Sequence, residues 1–366
     1  MKKDIIIVAG GTGGHIWPAV SFGSWLKNNK NISAHYVCGC RPLELEIYKN
    51  AGITPNILPM EGSPFSDSNI MIRVKRTFCL IKSIILSYLM IKKFSPVCCV
   101  VFAGYISFPF LLVCKMLNVD VVLHEQNAYA GKVTRLAEKL KVKILTGWSE
   151  CPPLREESFK YVGVPVRDFV LHDKNEAWKE IGLPKLCNYE MNIVVMTGSL
   201  GSVSIKSMIC KAASREEFRK CSFVLPAVSE KCEIIDNNIF LLPKIWDASL
   251  LFSIADAMVL RAGGSTLTEA GSLGIPSVVI PWRKAADDHQ YHNAKVFSSE
   301  NNAVVFLEDD DEEKFINILV NLKENCLKPN GNMTGKLYNS AGKICENFWL
   351  ALSPYFERSA CSDTGR

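Results

Sequence analysis

Acidic residues are missing from two long stretches of this chain. No Asp or Glu occurs between Asp4 and Glu44, and none from Ser68 to Val119, where Arg73, Lys75, Arg76, Lys82, Lys92, Lys93 and Lys115 all fall. Also missing is any C-x-x-C pair among the 14 cysteines. Cys38/Cys40 and Cys98/Cys99 are too tightly spaced for a redox or zinc knuckle, so reduced thiols, mostly core filler, are expected. Nothing at the N-terminus resembles a secretory signal, since Met1 to Asp4 lead straight into an apolar strand. No short-period repeat or low-complexity tract occurs. The formal charge of +5 over 366 residues gives a nucleic-acid partner no support.

A spanning helix is not expected either. Val97 to Cys114 is uncharged over 18 residues, close to the ~20 a membrane span needs. Gly104, Ser107 and Pro109 nevertheless break it into a strand (Val97–Phe102), a loop and a helix start. Ile70 to Ile91 sets Arg73, Lys75, Arg76 and Lys82 among Ile, Leu, Phe and Met. It reads as an amphipathic basic helix, which lies on an anionic membrane surface or is merely solvated.

The length suits two domains, each able to bury its own core. Short β-branched runs alternate with longer helical stretches. Strands are predicted at Asp4–Ala9, Ala34–Cys38, Thr54–Leu58, Val97–Phe102, Val119–His124 and Val142–Thr146. A second set follows at Asn192–Thr197, Ser222–Leu225, Ile239–Leu242, Ala257–Leu260, Ser277–Ile280 and Ala303–Phe306. Without period-two alternation these strands are buried on both faces, which predicts two doubly wound α/β domains. The boundary is placed between Cys151 and Pro184, and the tail after about Pro354 looks loose. Ligands of such sheets bind beyond the carboxyl ends of the strands.

The turns there are distinctive. Gly10-Gly11-Thr12-Gly13-Gly14-His15 follows the first strand and precedes a helix expected near Trp17-Pro18. Its bare N–H groups suit a phosphate. The acid-free stretch that follows excludes the ribose-binding carboxylate of a dinucleotide site, and G-x-x-x-x-G-K-[ST] is absent. Further glycine turns are Ala103-Gly104-Tyr105, Thr197-Gly198-Ser199-Leu200-Gly201-Ser202, and Arg261-Ala262-Gly263-Gly264-Ser265-Thr266-Leu267-Thr268-Glu269. In the last, hydroxyls and N–H groups can meet a diphosphate and Glu269 a ribose, or Ser265 and Glu269 merely cap a helix. His124-Glu125-Gln126-Asn127 puts four polar side chains at the mouth of a buried strand. Asp287-Asp288-His289-Gln290-Tyr291-His292-Asn293 opens another helix, and its spacing does not favour a metal.

Several ordered runs resemble the MurG family of bacterial peptidoglycan glycosyltransferases. They are Gly10 through Ala19, His124 through Gly131, Val162 through Arg167, Gly198-Ser199 with Gly201, Arg261 through Glu269, and Asp288-His289-Gln290 with Asn293-Ala294. The resemblance implies a GT-B fold of two Rossmann-like domains with an interdomain cleft. Residues 1–164, with a C-terminal helix at about 341–356, would face acceptor and membrane, and 165–340 would bind the donor.

It implies transfer of N-acetylglucosamine from UDP-GlcNAc to the muramoyl C4 hydroxyl of lipid I, with inversion, at the cytoplasmic face of the inner membrane. The basic segment 70–93 would meet the anionic surface. By similarity Ser199 and Arg167 meet the donor phosphates, the backbone of Ile245 the uracil, Glu269 the ribose with Gly264, Ser265, Thr266, Leu267 and Thr268 alongside, and Gln290 the GlcNAc hydroxyls. Thr12, Gly13, Gly14 and Asn127 would complete that site. Gly10, Gly11, Gly104 and Tyr105 would hold the acceptor diphosphate.

His15 and Glu125 are the candidate bases, His15 favoured. No metal or cofactor is implied, and oligomeric state is left open. The chain departs from the family at Ala103 and Val164, where Gly and Asn are usual, and at Thr197, Leu200 and Ser202 in the third turn. A non-catalytic nucleotide-sugar-binding scaffold, or another GT-B lipid glycosyltransferase, remain the competing readings.

Overall fold

The computed structural model describes residues 4–64, 68–184, 189–198, 202–327 and 341–363. The chain forms two compact units, Met1–Arg167 with Asn339–Arg366, and Asp168–Tyr338.

In the first unit, strands and helices alternate as β1 (Asp4–Val8), α1 (Gly13–Lys30), β2 (Ser33–Cys38), α2 (Pro42–Asn50), β3 (Asn56–Ile57), α3 (Ile70–Phe94), β4 (Cys99–Val101), α4 (Ser107–Leu117), β5 (Val121–Glu125), α5 (Lys132–Lys139), β6 (Lys143–Thr146) and β7 (Phe159–Tyr161). The sheet is parallel throughout, in the order β3-β2-β1-β4-β5-β6-β7. Ile5, Ile6, Ile7 and Val8 are all fully buried, so β1 has no solvent face. The order reverses direction between β1 and β4, which makes the ends of those two strands the switch point where a doubly wound sheet opens a crevice.

The second unit repeats the plan with α6 (Lys174–Glu180), β8 (Met191–Met196), α7 (Val203–Ala213), β9 (Cys221–Leu225), β10 (Glu233–Ile235), β11 (Ile239–Leu241), α8 (Ala248–Ile254), β12 (Ala257–Leu260), α9 (Gly264–Ser272), β13 (Ser277–Val279), α10 (His289–Glu300), β14 (Ala303–Val305) and α11 (Glu312–Leu327). Its order is β10-β11-β9-β8-β12-β13-β14, with β10 alone antiparallel, so the switch point lies between β8 and β12. Each unit has its own buried core.

A last helix, α12 (Ala341–Asp363), returns to the first unit. Phe348 stacks on Phe22 of α1 at 4.1 Å and on His124 at 5.1 Å. The tail expected to loosen near Pro354 is helical beyond it. Phe356 is buried, Arg358 pairs with Asp120, and Lys143 lies 5.5 Å above the Tyr355 ring, so packing carries the helix through its proline.

Two other expectations are adjusted, and the expected reduced thiols are found. Helix α1 starts at Gly13 rather than near Trp17, because the glycines themselves form its first turn and Pro18 lies inside it. Strands β7 and β10 have no counterpart among the predicted strands; each has only three residues, and both lie at sheet edges. The described cysteines are free thiols, most of them buried or partly buried.

Helix α3 is built inside out. The residues it buries are Ser83, Ser87 and Ile91, and both serine hydroxyls return a hydrogen bond to the carbonyl one turn back, which leaves no unpaired group where the helix meets the core. Leu80, Ile84, Leu86 and Met90 pack partly buried against the core, but a second set of large apolar side chains points to solvent: Phe78 is 68% and Met71 77% exposed, with Ile70, Val74, Ile81, Ile85 and Leu89 beside them. The uncharged run 97–114 divides into β4, a turn and part of α4. Among the described residues no helix is long and apolar enough to cross a membrane.

Candidate functional site

At the first switch point the two glycine turns meet. A Cβ placed on Gly104 would stand 3.6 Å from His15 Cδ2 and Nε2, and 3.8 Å from the Gly10 carbonyl. Gly11, at φ +92°, has the Tyr105 ring 3.4 Å from its missing Cβ. Thr12 caps α1 with its carbonyl, which accepts the N–H of His15 and of Ile16. Gly13 and Gly14 form the first turn, so the positive end of the helix lies at this turn. Ala103, where the family has Gly, adopts φ +39°. That is the left-handed region a Cβ disfavours by roughly 1–2 kcal/mol, which is the physical reason for glycine there. Val164, another of those departures, fills the space that a side chain on Gly147 would need, 2.2 Å from its Cβ position.

Glu44 was not among the expected site residues. It is fully buried and ends the acid-free stretch that began after Asp4, the one signal that marked it. Its carboxylate accepts the Gly39 N–H at 2.6 Å and the Tyr105 hydroxyl at 2.6 Å. It also occupies the room beside Gly10, 2.5 Å from where a Cβ would stand. Burial first, then the Glu44 charge and hydrogen bond, push the Tyr105 phenol up, so it stays a neutral donor. The Arg41 guanidinium covers the same ring at 5.0 Å. Gly10 and Tyr105 are thus braced by a buried acid as well as facing the turn.

Beyond β5 the polar run splits into two networks. The buried Glu125 carboxylate accepts four hydrogen bonds: from the Asn127 N–H (3.1 Å), the Asn127 Nδ2 (3.1 Å), the Gly131 N–H (3.2 Å) and the Thr134 hydroxyl. It closes the loop into α5, and this geometry weighs against Glu125 as base. The second network joins His15 Nδ1 to Gln126 Oε1, and Gln126 Nε2 to His124 Nδ1 (2.8 Å) and to the His124 carbonyl (2.7 Å). His124 Nε2 reaches the Gly163 carbonyl at 2.8 Å. Burial lowers His124 to about 4, against the Gly163 bond, which keeps the ring neutral. Arg167 ends this unit, its guanidinium 4.6 Å above the Trp17 ring.

In the second unit, α9 begins at Gly264 immediately after β12 and the turn. Ser265, Thr268 and Glu269 are buried, and the Thr268 hydroxyl donates to the Gly264 carbonyl at 2.9 Å. Thr266 is half-buried. The Leu267 side chain is fully buried, and its N–H donates to the Gly263 carbonyl. Gln290 accepts the Trp282 N–H through its amide oxygen, and the buried Asn293 donates to the Ala262 carbonyl, tying α10 to the turn. His289 and Asp288 have ordinary partners, the Ala286 carbonyl and Arg283. Ile245 is half-buried ahead of α8. Ser199, with Leu200 and Gly201, lies outside the described residues.

Glu308 is a second residue that sequence reasoning missed. It grips Arg261 through both oxygens (2.9 and 3.0 Å), while Arg261 reaches Ser202 Oγ at 2.8 Å, so the third and fourth turns are tied through one guanidinium. Burial alone would raise the Glu308 carboxyl, but the hydrogen bonds from Arg261 and Ser204 outweigh it and hold the group below its ordinary range.

Two doubly wound units, each with a glycine turn opening a helix at its switch point, have the GT-B architecture. The glycosyltransferase family 28 N-terminal domain matches residues 5–146 and its C-terminal domain residues 192–347. The chain is 30% identical over 314 residues, 82% of its length and 83% of the other, to the UDP-N-acetylglucosamine–N-acetylmuramyl-(pentapeptide) pyrophosphoryl-undecaprenol N-acetylglucosamine transferase of Carboxydothermus hydrogenoformans. The enzyme of that name from Pseudomonas entomophila is 28% identical over 309 residues, with 82% and 83% covered. Among solved structures, MurG of Acinetobacter baumannii aligns with a TM-score of 0.65 at 21% identity, over 94% of this chain and 95% of that one. The chain belongs to this family of N-acetylglucosaminyltransferases, the MurG family.

Two substitutions test the networks. Glu125→Gln places an NH2 against donors it cannot accept from, so stability should fall by about 1–3 kcal/mol in equilibrium unfolding; full stability with lost turnover would instead restore Glu125 as base. Glu308, with its folded pKa below the unfolded value, stabilises fully above the ordinary glutamate range and loses that contribution as pH falls through the depressed value. Wild type should therefore exceed Glu308→Gln by about 1.5–3 kcal/mol at neutral pH, with the gap closing in acid. A gap independent of pH would refute the ion-pair account.

Proposed function

We propose that the chain transfers N-acetylglucosamine from UDP-GlcNAc to the C4 hydroxyl of the muramoyl sugar of undecaprenyl-diphospho-MurNAc-pentapeptide, inverting the anomeric centre and releasing UDP. The product is the disaccharide-carrying lipid precursor of peptidoglycan. The observation that carries this reading is the His15 turn at the first switch point, in a chain that matches a family of this activity over 82% of its length.

The C4 hydroxyl attacks C1 as His15 Nε2 takes its proton, and the bond from C1 to the diphosphate oxygen breaks. Charge developing on UDP meets the positive end of α9, the hydroxyls of Ser265 and Thr266, Ser199 and Arg167. Glu269 takes the ribose, the backbone of Ile245 the uracil, and Gln290 the GlcNAc hydroxyls. The first two glycine turns, through Gly10, Gly11, Gly104 and Tyr105, hold the acceptor diphosphate.

The acceptor is a lipid, and α3 supports docking at its membrane. Exposed Phe78, Ile81 and Ile85 on a helix that also carries Arg73, Lys75 and Lys82 suit the interface of an anionic leaflet, the apolar stripe in the acyl boundary and the cations at the headgroups. The enzyme works there as a peripheral protein on the cytoplasmic face.

Folded protein given UDP-GlcNAc and a soluble lipid I analogue should release UDP, and His15→Ala should lower kcat by roughly 10²–10⁴. No UDP release from the wild type sinks the reading, and release with other lipid acceptors only would reassign the acceptor. Replacing Arg73, Lys75 and Arg76 by Gln should weaken binding to anionic vesicles by on the order of 10²-fold, at ~1 kcal/mol per cation. Unchanged binding would remove α3 from the membrane.

A further inference from the structure

Two backbone carbonyls decide where the protons sit along the row His15, Gln126, His124. A carbonyl oxygen only accepts. The Gly163 carbonyl, 2.8 Å from His124 Nε2, therefore receives that nitrogen's proton. Since burial keeps the ring neutral, its Nδ1 is a lone pair. The Gln126 group facing it is an NH2, whose two protons go to His124 Nδ1 at 2.8 Å and to the His124 carbonyl at 2.7 Å. Gln126 cannot be turned round, because an oxygen there would face a carbonyl and a lone pair. Its own oxygen then faces His15 Nδ1, which must carry a proton.

We infer that Gln126 is a positioning residue that sets the tautomer of His15, pinning the proton on Nδ1 and leaving Nε2 bare toward the Gly104 turn. The inference rests on the reading of His15 as base. Gln126 is suited to the task because it cannot drift: its side chain is buried, and its backbone carbonyl accepts the Trp148 indole N–H at 2.9 Å. The far end of the row is equally fixed. Gly163 sits at φ +94° with Ile344 of α12 3.1–3.3 Å from its missing Cβ, and Phe348 of the same helix lies against His124.

The amide does something a carboxylate would not. During transfer the O–H bond of the acceptor breaks, an Nε2–H bond forms, and the oxygen electron pair goes to C1 while UDP leaves with the old bond's pair. A neutral amide orients the ring without favouring its protonated form, whereas a carboxylate in its place would favour the imidazolium. The other titratable groups around His15 are otherwise engaged. His124 from β5 is neutral, Glu125 is turned onto the loop into α5, Tyr105 from the second turn is bonded to Glu44 of α2, and Arg167 lies over Trp17 of α1.

The test uses the full chain with 15N-labelled histidine. Only 6 histidines are present, and His15→Gln assigns the signal. Neutral wild-type His15 should show the Nδ1–H tautomer; an Nε2–H tautomer overturns the inference, and this readout does not depend on turnover. Gln126→Met should mix the tautomers and lower kcat roughly 10–100-fold, less than loss of a whole base, with KM for UDP-GlcNAc within about twofold. Gln126→Glu should keep the ring pinned and move the low-pH limb of kcat upward by about one pH unit or more. Equal losses in both variants with an unmoved limb would make Gln126 a structural brace and overturn the inference. Absent turnover in the wild type would overturn the function on which it rests, while the tautomer remained measurable.

Discussion

Strands buried on both faces have nowhere to put chemistry except at their ends. In β1 and β12 every residue beyond the first is fully buried and apolar, so the sheet spends its length on packing. Polar function is forced to the carboxyl ends, and only where the strand order reverses do neighbouring turns diverge enough to admit a ligand. Both units obey this constraint at the same relative place, after their first and fourth strands in one case and after β8 and β12 in the other. The glycines at those turns follow from it. At Gly10 the buried Glu44 carboxylate takes the space of a side chain, and Gly104 adopts φ +69°.

Strand β5 departs furthest from the apolar rule, carrying two ionisable groups, His124 and Glu125, into the buried sheet. Burying two ionisable groups side by side is tolerated only when each is fully bonded or neutral. Glu125 takes the first route, with four donors; His124 takes the second, held uncharged with one nitrogen donating and the other accepting. The two candidate bases are separated by the same logic. The Glu125 carboxylate is turned onto the loop into α5, whereas His15 is half-buried with Nδ1 on Gln126.

How much of this was legible in the sequence depended on range. Strands, glycine turns and the basic helix are local patterns, and twelve of the strands were placed from β-branched runs alone. The short edge strands β7 and β10 left no such run, and the outward-facing apolar stripe of α3 could not be told from an ordinary amphipathic face, because apolar residues line both sides of the helix and two of the three it buries fully are serines. Glu44 and Glu308 escaped because their roles are set by partners such as Tyr105 and Arg261, 61 and 47 residues away. The hydrophobic pattern could not show that Leu267, inside a run of ligand-type residues, turns into the core. Helix α12 was foreseen, but its course beyond Pro354 depends on Asp120 and Lys143, which only the fold brings to it.

That last helix gives the first unit a closed circuit. Its two aromatic and aliphatic anchors, Phe348 and Ile344, meet the polar row at its fixed end, on His124 and Gly163, while His15 forms the other end on α1. Phe348 also stacks on Phe22, one face of α1, so the helix that carries His15 and the strand end that carries His124 are clamped by the same side chain. Removing the clamp would loosen the orientation of His15 without touching it. The C-terminal segment thus belongs to the chemistry of the N-terminal turn, because hydrogen-bond direction in a buried row survives only as long as the row's anchor is held still.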